Sequence, residues 1–373
     1  MRSVWSAALV CLLGLGILAV AQAAPKTPRR IVWDKATLTL IQRGGLYGRM
    51  VRLSHDAILC AYESGGKSWV CASGDDGKTW KPPILAAQFA YGSAANPELL
   101  RLQNGALLLF INERPYDGTH HFAIALAVSR DNGATWQSRP VIYAAGAEGR
   151  EGCWEPSALQ LPSGEIQLFF ANNFPYPGTN DQDISLCRSQ DNGMTWSAPK
   201  TVSYRAKHRD GMPVPLVLQK NKGIIIAIED SGLTSRYSLQ PAIIWTSRRD
   251  NWNEPFADGD SPRRWGAVVP PLPPDVYAGA PYIRQLPSGA TVLSCQIGQP
   301  GAGDKHPRMT VYLGDDQARN FADPTLPFDV PNHGGGEFWN SLFIKNADTV
   351  TAITSTRIGG VSGLWAIDGH VVR

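Results

Sequence analysis

The chain has 373 residues with 35 basic and 32 acidic side chains, so its formal net charge is only +3. Because no segment gathers the basic residues into a stripe, we expect no nucleic-acid partner. No long stretch shows the periodicity of an amphipathic helix, which argues against a TIM barrel and against a doubly wound sheet.

The first predicted element is a targeting segment over residues 1–24. Arg2 gives a positive start, residues 7–20 form an apolar run too short to cross a bilayer comfortably, and Ala-Gln-Ala at 21–23 supplies a cleavage pattern. We therefore expect a secreted or periplasmic protein with no membrane attachment after signal cleavage, an uncleaved anchor being the alternative. Residues 25–373 then form a single mature domain, which we expect to be a monomer.

The mature chain divides into six similar units, each with an apolar residue, a short polar turn and a β-rich run. The units are marked by the following residues: Leu53, Leu102, Leu161, Leu218, Leu286 and Ile344. Their intervals of 49 to 68 residues suit a propeller blade, for which four strands and their turns need roughly 40–50 residues before longer loops are added. The sequence predicts an all-β fold, a six-bladed β-propeller.

An eight-residue pattern recurs within these units, at residues 73–80, 129–136 and 189–196. Its copies read SGDDGKTW, SRDNGATW and SQDNGMTW, and an eroded copy without the glycine occupies residues 246–252. Residues 313–317 hold another remnant. Asp and Asn bond nearby amides and Gly takes the positive φ of a tight turn, so the pattern predicts a strand-joining turn. A calcium loop would need a longer ligand ladder ending in Glu.

Five cysteines remain in the mature chain, without the close spacing of a metal site or a dense disulfide framework. Cys60 and Cys71 are predicted on neighbouring strands, where a disulfide and a pair of buried thiols are equally compatible with the sequence. His120, His121 and His208 lack a third ligand at a recognisable spacing, so we expect no metal. The glycine runs lack the context of a phosphate loop, and we expect no cofactor.

Aligning the six units predicts which residues line the central channel. Six residues before each marker stand Tyr47, Asn96, Glu155, Met212, Ala280 and Phe338. Two residues further along stand Arg49, Glu98, Ser157, Val214, Tyr282 and Asn340. A purely structural blade would place small or apolar residues at these positions. The polar ones therefore predict a site at one mouth of the channel.

Two glutamates stand out at this predicted mouth. Glu155 opens an inner strand directly after Trp154, and Glu229 ends the apolar run at residues 223–228. Two carboxyl groups in different surroundings are what glycosidic cleavage requires, since one donates a proton while the other attacks or activates water. The structural alternative is that both glutamates form ion pairs between blades with Arg49, Arg209 or Arg236.

The eight-residue pattern resembles the Asp-box of the sialidase superfamily, and the resemblance extends over about residues 30–373. Within that superfamily, Trp-Glu-Pro at 154–156, the segments 181–184 and 209–213, and Glu229 look similar to the exo-arabinanase branch, glycoside hydrolase family 93. Arg49 matches the first arginine of true sialidases, but the hairpin at residues 62–69 is too short for their acid/base aspartate. A surplus of Trp and Tyr also suits stacking on sugar rings.

The resemblance implies an exported, retaining exo-glycosidase that acts on a polysaccharide or oligosaccharide, with an arabinan-type substrate favoured. It implies Glu155 as acid/base, Glu229 as nucleophile and Tyr282 as a hydrogen-bonding partner of the nucleophile or the sugar ring oxygen. The residues expected to bind the carbohydrate substrate are Arg49, Trp154, Asn173, Asp181, Gln182, Asp183, Arg209, Asp210, Trp265 and Trp339. An exo-sialidase or another glycosidase of the clan is one alternative, and a non-catalytic carbohydrate-binding propeller is another.

Overall fold

The computed structural model describes residues 30–236 and 238–372, and the predicted targeting segment lies outside them. Twenty-five strands form six antiparallel sheets arranged as the blades of a propeller, so the predicted fold is confirmed. Among the described residues, none of the helical segments has the length and apolar character needed to traverse a lipid bilayer.

The strands follow the chain blade by blade. Blade one holds β2 (Leu46–Arg52), β3 (Ile58–Ser64), β4 (Lys67–Ser73) and β5 (Ile84–Ala87). Blade two holds β6 (Gly92–Arg101), β7 (Leu107–Pro115), β8 (Ala123–Ser129), β9 (Gln137–Ser138) and β10 (Tyr143–Ala144). Blade three follows a 3₁₀ turn (Gly149–Glu151) and holds β11 (Cys153–Gln160), β12 (Ile166–Asn172), β13 (Asp183–Ser189) and β14 (Lys200–Ser203).

The remaining blades repeat this order. Blade four holds β15 (Asp210–Val217), β16 (Ile224–Asp230), β17 (Gln240–Thr246) and β18 (Arg264–Gly266). Blade five holds β19 (Ala278–Gln285), β20 (Thr291–Ile297), β21 (Arg308–Gly314) and β22 (Ala322–Thr325). Blade six combines β23 (His333–Ile344), β24 (Thr349–Ile358) and β25 (Val361–Val372) with β1 (Arg30–Arg43) from the start of the described chain.

The apolar core lies between neighbouring blades. The middle strands read as continuous apolar runs, as in Ile224–Asp230, because both faces of each blade pack against another blade. Separate buried clusters fill the interfaces of blades six with one, one with two, two with three and three with four. One larger cluster spans blades four to six.

The predicted Asp-box turns join the third and fourth strands of their blades. In the copies at 73–80, 129–136 and 189–196, the aspartate accepts hydrogen bonds from the backbone amide and hydroxyl of the threonine four residues later. These bonds lower the pKa of Asp75, Asp131 and Asp191 to about 2. The remnant keeps part of the motif, since Asp315 accepts the amide of Arg319.

The two cysteines of blade one, Cys60 and Cys71, face each other in register across β3 and β4. Both are buried and both are free thiols. Of the two possibilities that the sequence left open, the structure has the pair of buried thiols.

Candidate functional site

Each inner strand carries a β-bulge close to its first residues. At the bulge stands a non-glycine residue with positive φ: Tyr47, Asn96, Glu155, Met212, Ala280 and Trp339, with φ between 46° and 57°. Such backbone costs on the order of 1–3 kcal/mol per residue and collects at functional sites. Five of the six residues are those that the alignment of units predicts.

The sixth blade departs from the predicted alignment by one residue. There the bulge residue is Trp339 rather than Phe338, and Ser341 rather than Asn340 follows two positions later. The turn after β23 explains the shift. Lys345 bonds to the carbonyl of Thr349, as Leu53 bonds to that of Ala57, so Lys345 and not Ile344 is the equivalent marker.

Three of the bulge residues close the channel. Tyr47, Met212 and Ala280 are each at most 6% exposed and pack together as a small cluster, which we call the floor. The floor separates one mouth of the channel, where the inner strands begin, from the opposite mouth, where the Asp-box turns lie. A ligand entering the first mouth therefore meets a closed end.

Five of the six bulge amides donate to side chains from the preceding blade. The amide donors and their acceptors are Tyr47 to Ser355 Oγ (3.1 Å), Asn96 to Glu63 Oε2 (3.2 Å), Met212 to Glu155 Oε2 (3.1 Å), Ala280 to Glu229 Oε2 (2.9 Å) and Trp339 to Gln296 Oε1 (2.9 Å). Four of these acceptors occupy one equivalent position on the second strand of their blades: Glu63, Glu229, Gln296 and Ser355. Blade three has Ala171 there, which offers no side-chain acceptor, and Glu155 takes over the task.

Glu155 and Glu229 therefore approach two neighbouring residues of β15, Gly211 and Met212. Glu229 Oε1 is 2.8 Å from the place that a Cβ on Gly211 would occupy, while Glu155 Oε2 accepts the amide of the next residue, Met212. Both side chains are half-buried, so both reach the channel mouth. A side chain at 211 would therefore displace the Glu229 carboxylate from this position.

Burial and the negative charge of Glu155 raise the pKa of Glu229 to about 7. Burial also raises the pKa of Glu155, although the positive charges of Arg114, Arg209 and Arg49 oppose this rise. Arg209 is the only one of these three cations that also acts on Glu229. The pair therefore binds a proton near neutral pH, and the arginines favour Glu155 as the ionised partner.

Five of the residues predicted to bind substrate form a hydrogen-bonded chain beside Glu155. Trp154 donates its indole N–H to Asn173 Oδ1 (2.7 Å), and Asn173 donates to the carbonyl of Asp181 (2.8 Å). The next residue, Gln182, accepts a hydrogen bond from the Arg209 guanidinium (2.8 Å). This chain fixes the orientation of Trp154 and Arg209 at the mouth.

Arg49 and Tyr282 lie deeper than the sequence predicts. The guanidinium of Arg49 bonds to Glu98 Oε2 (3.1 Å), and the Tyr282 hydroxyl bonds to Glu98 Oε1 (3.3 Å) and contacts Arg284. Both residues are at most 2% exposed, because they stand two positions beyond the floor residues on their strands. The Tyr282 hydroxyl is thus committed to Glu98 rather than to Glu229.

Three further predicted residues have side chains that are engaged within the protein. Asp183 is fully buried and bonds to Tyr176, Ser185 and Thr201, and burial raises its pKa to about 6. Asp210 is fully buried and paired with Arg264 (2.6 Å). Trp265 lies on β18, the outer strand of blade four, where its ring packs on Arg319. The sequence does not reveal that these two aspartates are buried or that Trp265 lies on an outer strand.

Trp339, by contrast, is 36% exposed at the rim of the mouth. Its ring borders a cavity of about 590 Å³ that is shared with Phe338 and the glycine run at 334–336. This position is consistent with the predicted stacking role.

The sequence analysis missed two residues beside the glutamates. Tyr277 stands just before β19, and its hydroxyl and Glu229 Oε2 both lie within 2.9 Å of the Cβ position of Gly279. Arg114 ends β7 and stacks on Trp154, with 5.1 Å between the guanidinium carbon and the ring centre. Neither belongs to the aligned inner-strand positions, so the alignment of units carried no signal for them.

A cavity of about 440 Å³ continues the mouth between blades four and five. Its walls include Arg209, Arg236, Tyr277 and Asp304. Among the residues that the structure describes, no three His, Cys, Asp or Glu side chains gather closely enough to hold a metal ion.

Comparisons with known proteins agree with the fold. A family model described as a BNR repeat-like domain matches residues 123–239. The glycoside hydrolase family 93 α-L-arabinofuranosidase of Fusarium graminearum, in complex with arabinobiose, superposes with a TM-score of 0.69 at 21% identity, over 88% of this chain and 93% of that one. The α-L-arabinanase of Penicillium chrysogenum, complexed with arabinobiose, gives 0.69 at 19%, over 91% and 98%.

A Hadza microbial sialidase superposes less closely, with a TM-score of 0.57 at 13% identity, over 88% of this chain and 66% of that one. No match is found among curated proteins. The chain is a six-bladed propeller with a BNR repeat-like domain, and its fold resembles those of the family 93 enzyme, the arabinanase and the sialidase, as the sequence predicts.

Proposed function

We propose that the protein is an exported glycoside hydrolase that cleaves arabinan-type polysaccharides or oligosaccharides, with Glu155 and Glu229 as its catalytic pair. The observation that supports this proposal is the meeting of two half-buried carboxyl groups at the closed mouth of the channel. The arabinan-type substrate is favoured because the two arabinose-acting neighbours share the fold over nearly the whole chain. Export rests on the targeting segment predicted at residues 1–24.

The chemistry needs one protonated and one ionised carboxyl group at the scissile bond. Because burial and the charge of Glu155 raise the pKa of Glu229 to about 7, Glu229 keeps its proton up to near-neutral pH. In the free site the arginines place the negative charge preferentially on Glu155. The family resemblance implies the opposite roles, with Glu155 as acid/base and Glu229 as nucleophile. We therefore propose Glu155 and Glu229 as a catalytic pair, and chemical rescue assigns which of them is the acid/base and which is the nucleophile.

Sialic acid hydrolysis is disfavoured by the surroundings of Arg49. That side chain is 1% exposed and paired with Glu98 beneath the floor, so it is not free to bind a substrate carboxylate in the mouth. The hairpin between β3 and β4 is closed by Gly65 and Gly66 alone and carries no insert with an acid/base aspartate. Turnover by the wild type distinguishes this proposal from a non-catalytic binding propeller, in which both glutamates would serve only as acceptors of bulge amides.

The closed floor supports attack at a chain end, the exo mode that the resemblance implies. A polymer threaded through the channel would need an open axis, whereas Tyr47, Met212 and Ala280 fill it. The terminal sugar would then rest between the floor and the adjoining cavity that Tyr277 lines. Trp154 and Trp339 offer ring faces at the rim.

The experiment compares Glu155→Gln and Glu229→Gln with Glu63→Gln. Glu63 is the matched control, because it occupies the same second-strand position in blade one and accepts a bulge amide in the same way. Hydrolysis of an aryl α-L-arabinofuranoside should fall by at least about a thousandfold in the first two variants, since losing a general acid or a nucleophile removes several kcal/mol of transition-state stabilisation. It should change less than about threefold in the control. Wild-type turnover by both test variants would overturn the proposal.

Azide rescue separates the two roles. In a retaining enzyme, azide restores turnover to Glu→Ala variants of both groups, but the product differs. The nucleophile variant gives a glycosyl azide of inverted configuration, and the acid/base variant gives one of retained configuration. If neither variant is rescued and the sugar product of the wild type is inverted, the retaining mechanism is wrong while the catalytic pair stands.

A further inference from the structure

Three aromatic rings contact one another on blade two, and a fourth aromatic residue lies beside them. The three rings belong to Phe89, Tyr91 and His120, the fourth residue is Tyr116, and we call the four residues the platform. Tyr91 stacks on His120 with 3.5 Å between ring centres and 14° between planes, and Phe89 meets both rings edge-on. Tyr116 is joined to the group by its amide, which bonds to the carbonyl of Tyr91 (3.0 Å).

The platform combines two exposed tyrosines with a histidine that is held in place by hydrogen bonds. Tyr91 is 51% exposed and Tyr116 is 75% exposed. His120 is held in place by Asp117, which accepts its ring N–H (2.6 Å) and its backbone amide (3.0 Å). Rigid tyrosine and histidine rings offer a large amphipathic contact surface at low entropic cost, as in carbohydrate and protein recognition surfaces.

The platform lies at the mouth that carries the glutamates. Tyr91 stands just before the inner strand of its blade, and Glu155 lies among the first residues of the inner strand of blade three. Tyr116 directly follows the second strand of blade two, at the end where Glu229 stands in blade four. Arg114, two residues before Tyr116, contacts Trp154 and acts electrostatically on Glu155. The end of β7 therefore connects the platform to the catalytic pair.

The space beside the platform is open because the neighbouring blade-one hairpin is short. Nothing lies within 4 Å of a Cβ placed on Gly65, and the Tyr116 hydroxyl is 3.6 Å from a Cβ placed on Gly66. An extended ligand that leaves the mouth over blade two would meet these ring faces.

We propose that the platform is a binding subsite for a further neutral sugar unit of the polysaccharide, beyond the scissile bond. Aromatic faces suit the C–H face of a neutral sugar. This proposal rests on the proposed function, because it takes its ligand from it. A small aryl glycoside ends at the scissile bond and does not reach the platform.

The test measures kcat and KM of Tyr91→Ala and Tyr116→Ala on debranched arabinan and on an aryl α-L-arabinofuranoside. On arabinan, KM should rise roughly two- to tenfold in each variant, while the aryl substrate keeps its wild-type constants. Tyr116→Phe and Tyr91→Phe, which keep the rings, should restore the arabinan KM. Met194→Ala is the control, since Met194 is 59% exposed in an Asp-box turn at the opposite mouth.

A second measurement keeps the platform testable apart from catalysis. Retardation of the wild type and the same variants in arabinan-containing native gels reports binding even if no hydrolysis occurs. The proposal is overturned if the alanine variants match the wild type in both assays, or if the wild type is not retarded and the arabinan KM does not change. If instead the wild type is retarded by arabinan but does not hydrolyse it, the proposed function fails while the platform proposal stands.

Discussion

A single position on the second strand serves structure in some blades and, in our proposal, chemistry in another. Glu63, Gln296 and Ser355 accept a bulge amide from the next blade, and so does Glu229. Glu229 differs from these residues in its surroundings. A second carboxyl group and Tyr277 lie near it, and two glycines leave room for its side chain. The structural alternative for this residue and the catalytic one are therefore not exclusive.

The raised pKa of Glu229 predicts how stability changes with pH. In the unfolded chain its carboxyl group ionises near pH 4.5, whereas in the folded protein it keeps its proton to about pH 7. Between these values the folded state binds more protons, so the free energy of unfolding falls as pH rises, by up to about 3 kcal/mol in total. Glu229→Gln removes this loss, because glutamine is neutral in both states.

Urea denaturation at pH 4.5 and pH 8 measures this effect. The stability of Glu229→Gln relative to wild type should rise by about 2–3 kcal/mol between the two pH values. Asp131→Asn is the control: the pKa of Asp131 is lowered to about 2, so its contribution is lost only as pH falls below about 4 and is constant over this range. Equal pH dependence of Glu229→Gln and wild type would refute the raised pKa.

At the scale of the strand, the recurring bulge is the feature that joins blades to one another. At five of the six bulges, a neighbouring blade supplies the side-chain acceptor for a backbone amide that the inner strand does not satisfy. Where Ala171 offers no side-chain acceptor, Glu155 replaces it from the bulge residue of its own blade. The catalytic pair of our proposal thus arises where this inter-blade pattern is altered.

Ser355→Ala tests the pattern without touching the glutamates. Ser355 is 4% exposed, and its loss leaves the buried amide of Tyr47 without an acceptor. An unsatisfied buried amide costs about 1–3 kcal/mol, so the free energy of unfolding should fall by that amount. Ser362→Ala, at an exposed position of β25 in the same blade, should change it by less than about 0.5 kcal/mol. Equal stability of the two variants would show that the bond is dispensable.

Much of this arrangement could be predicted from the sequence because the repeats are in phase. The Asp-boxes and the apolar markers fixed six units, and the alignment identified five of six bulge residues. Blade six slipped by one because Ile344 is apolar and resembles a marker, while the true marker, Lys345, is charged. Arg114 and Tyr277 could not be predicted, since they stand outside the aligned positions and approach the glutamates only when the ring closes.

At the scale of the whole molecule, the ring is closed by pairing the two ends of the described chain. β1 runs antiparallel to β25, from Arg30 opposite Val372 to Arg43 opposite Gly363. The pairing covers the outer edge of blade six, which would otherwise present unpaired backbone groups. It also buries Ile31 and Ile41, so one strand from the start of the chain completes a blade built at its end.

Deleting residues 30–43 should therefore cost the protein its cooperative thermal transition. A circular permutant tests whether the pairing of β1 with β25 is sufficient for cooperative unfolding. In that variant the chain begins at Gly44, and residues 30–43 follow Arg373 through a short turn. Arg30 and Val372 are neighbours in the sheet, so such a turn can join them without moving β1.

The permutant should regain a single cooperative transition close to that of the full chain, in calorimetry and in near-ultraviolet circular dichroism. Removing only residues 25–29 is the control and should leave the transition unchanged. A deletion variant that unfolds like the full chain would show that closure by β1 is not needed. A permutant that fails to fold would show that the pairing alone is not sufficient, and that the position of β1 before blade one in the chain is needed for the ring to form.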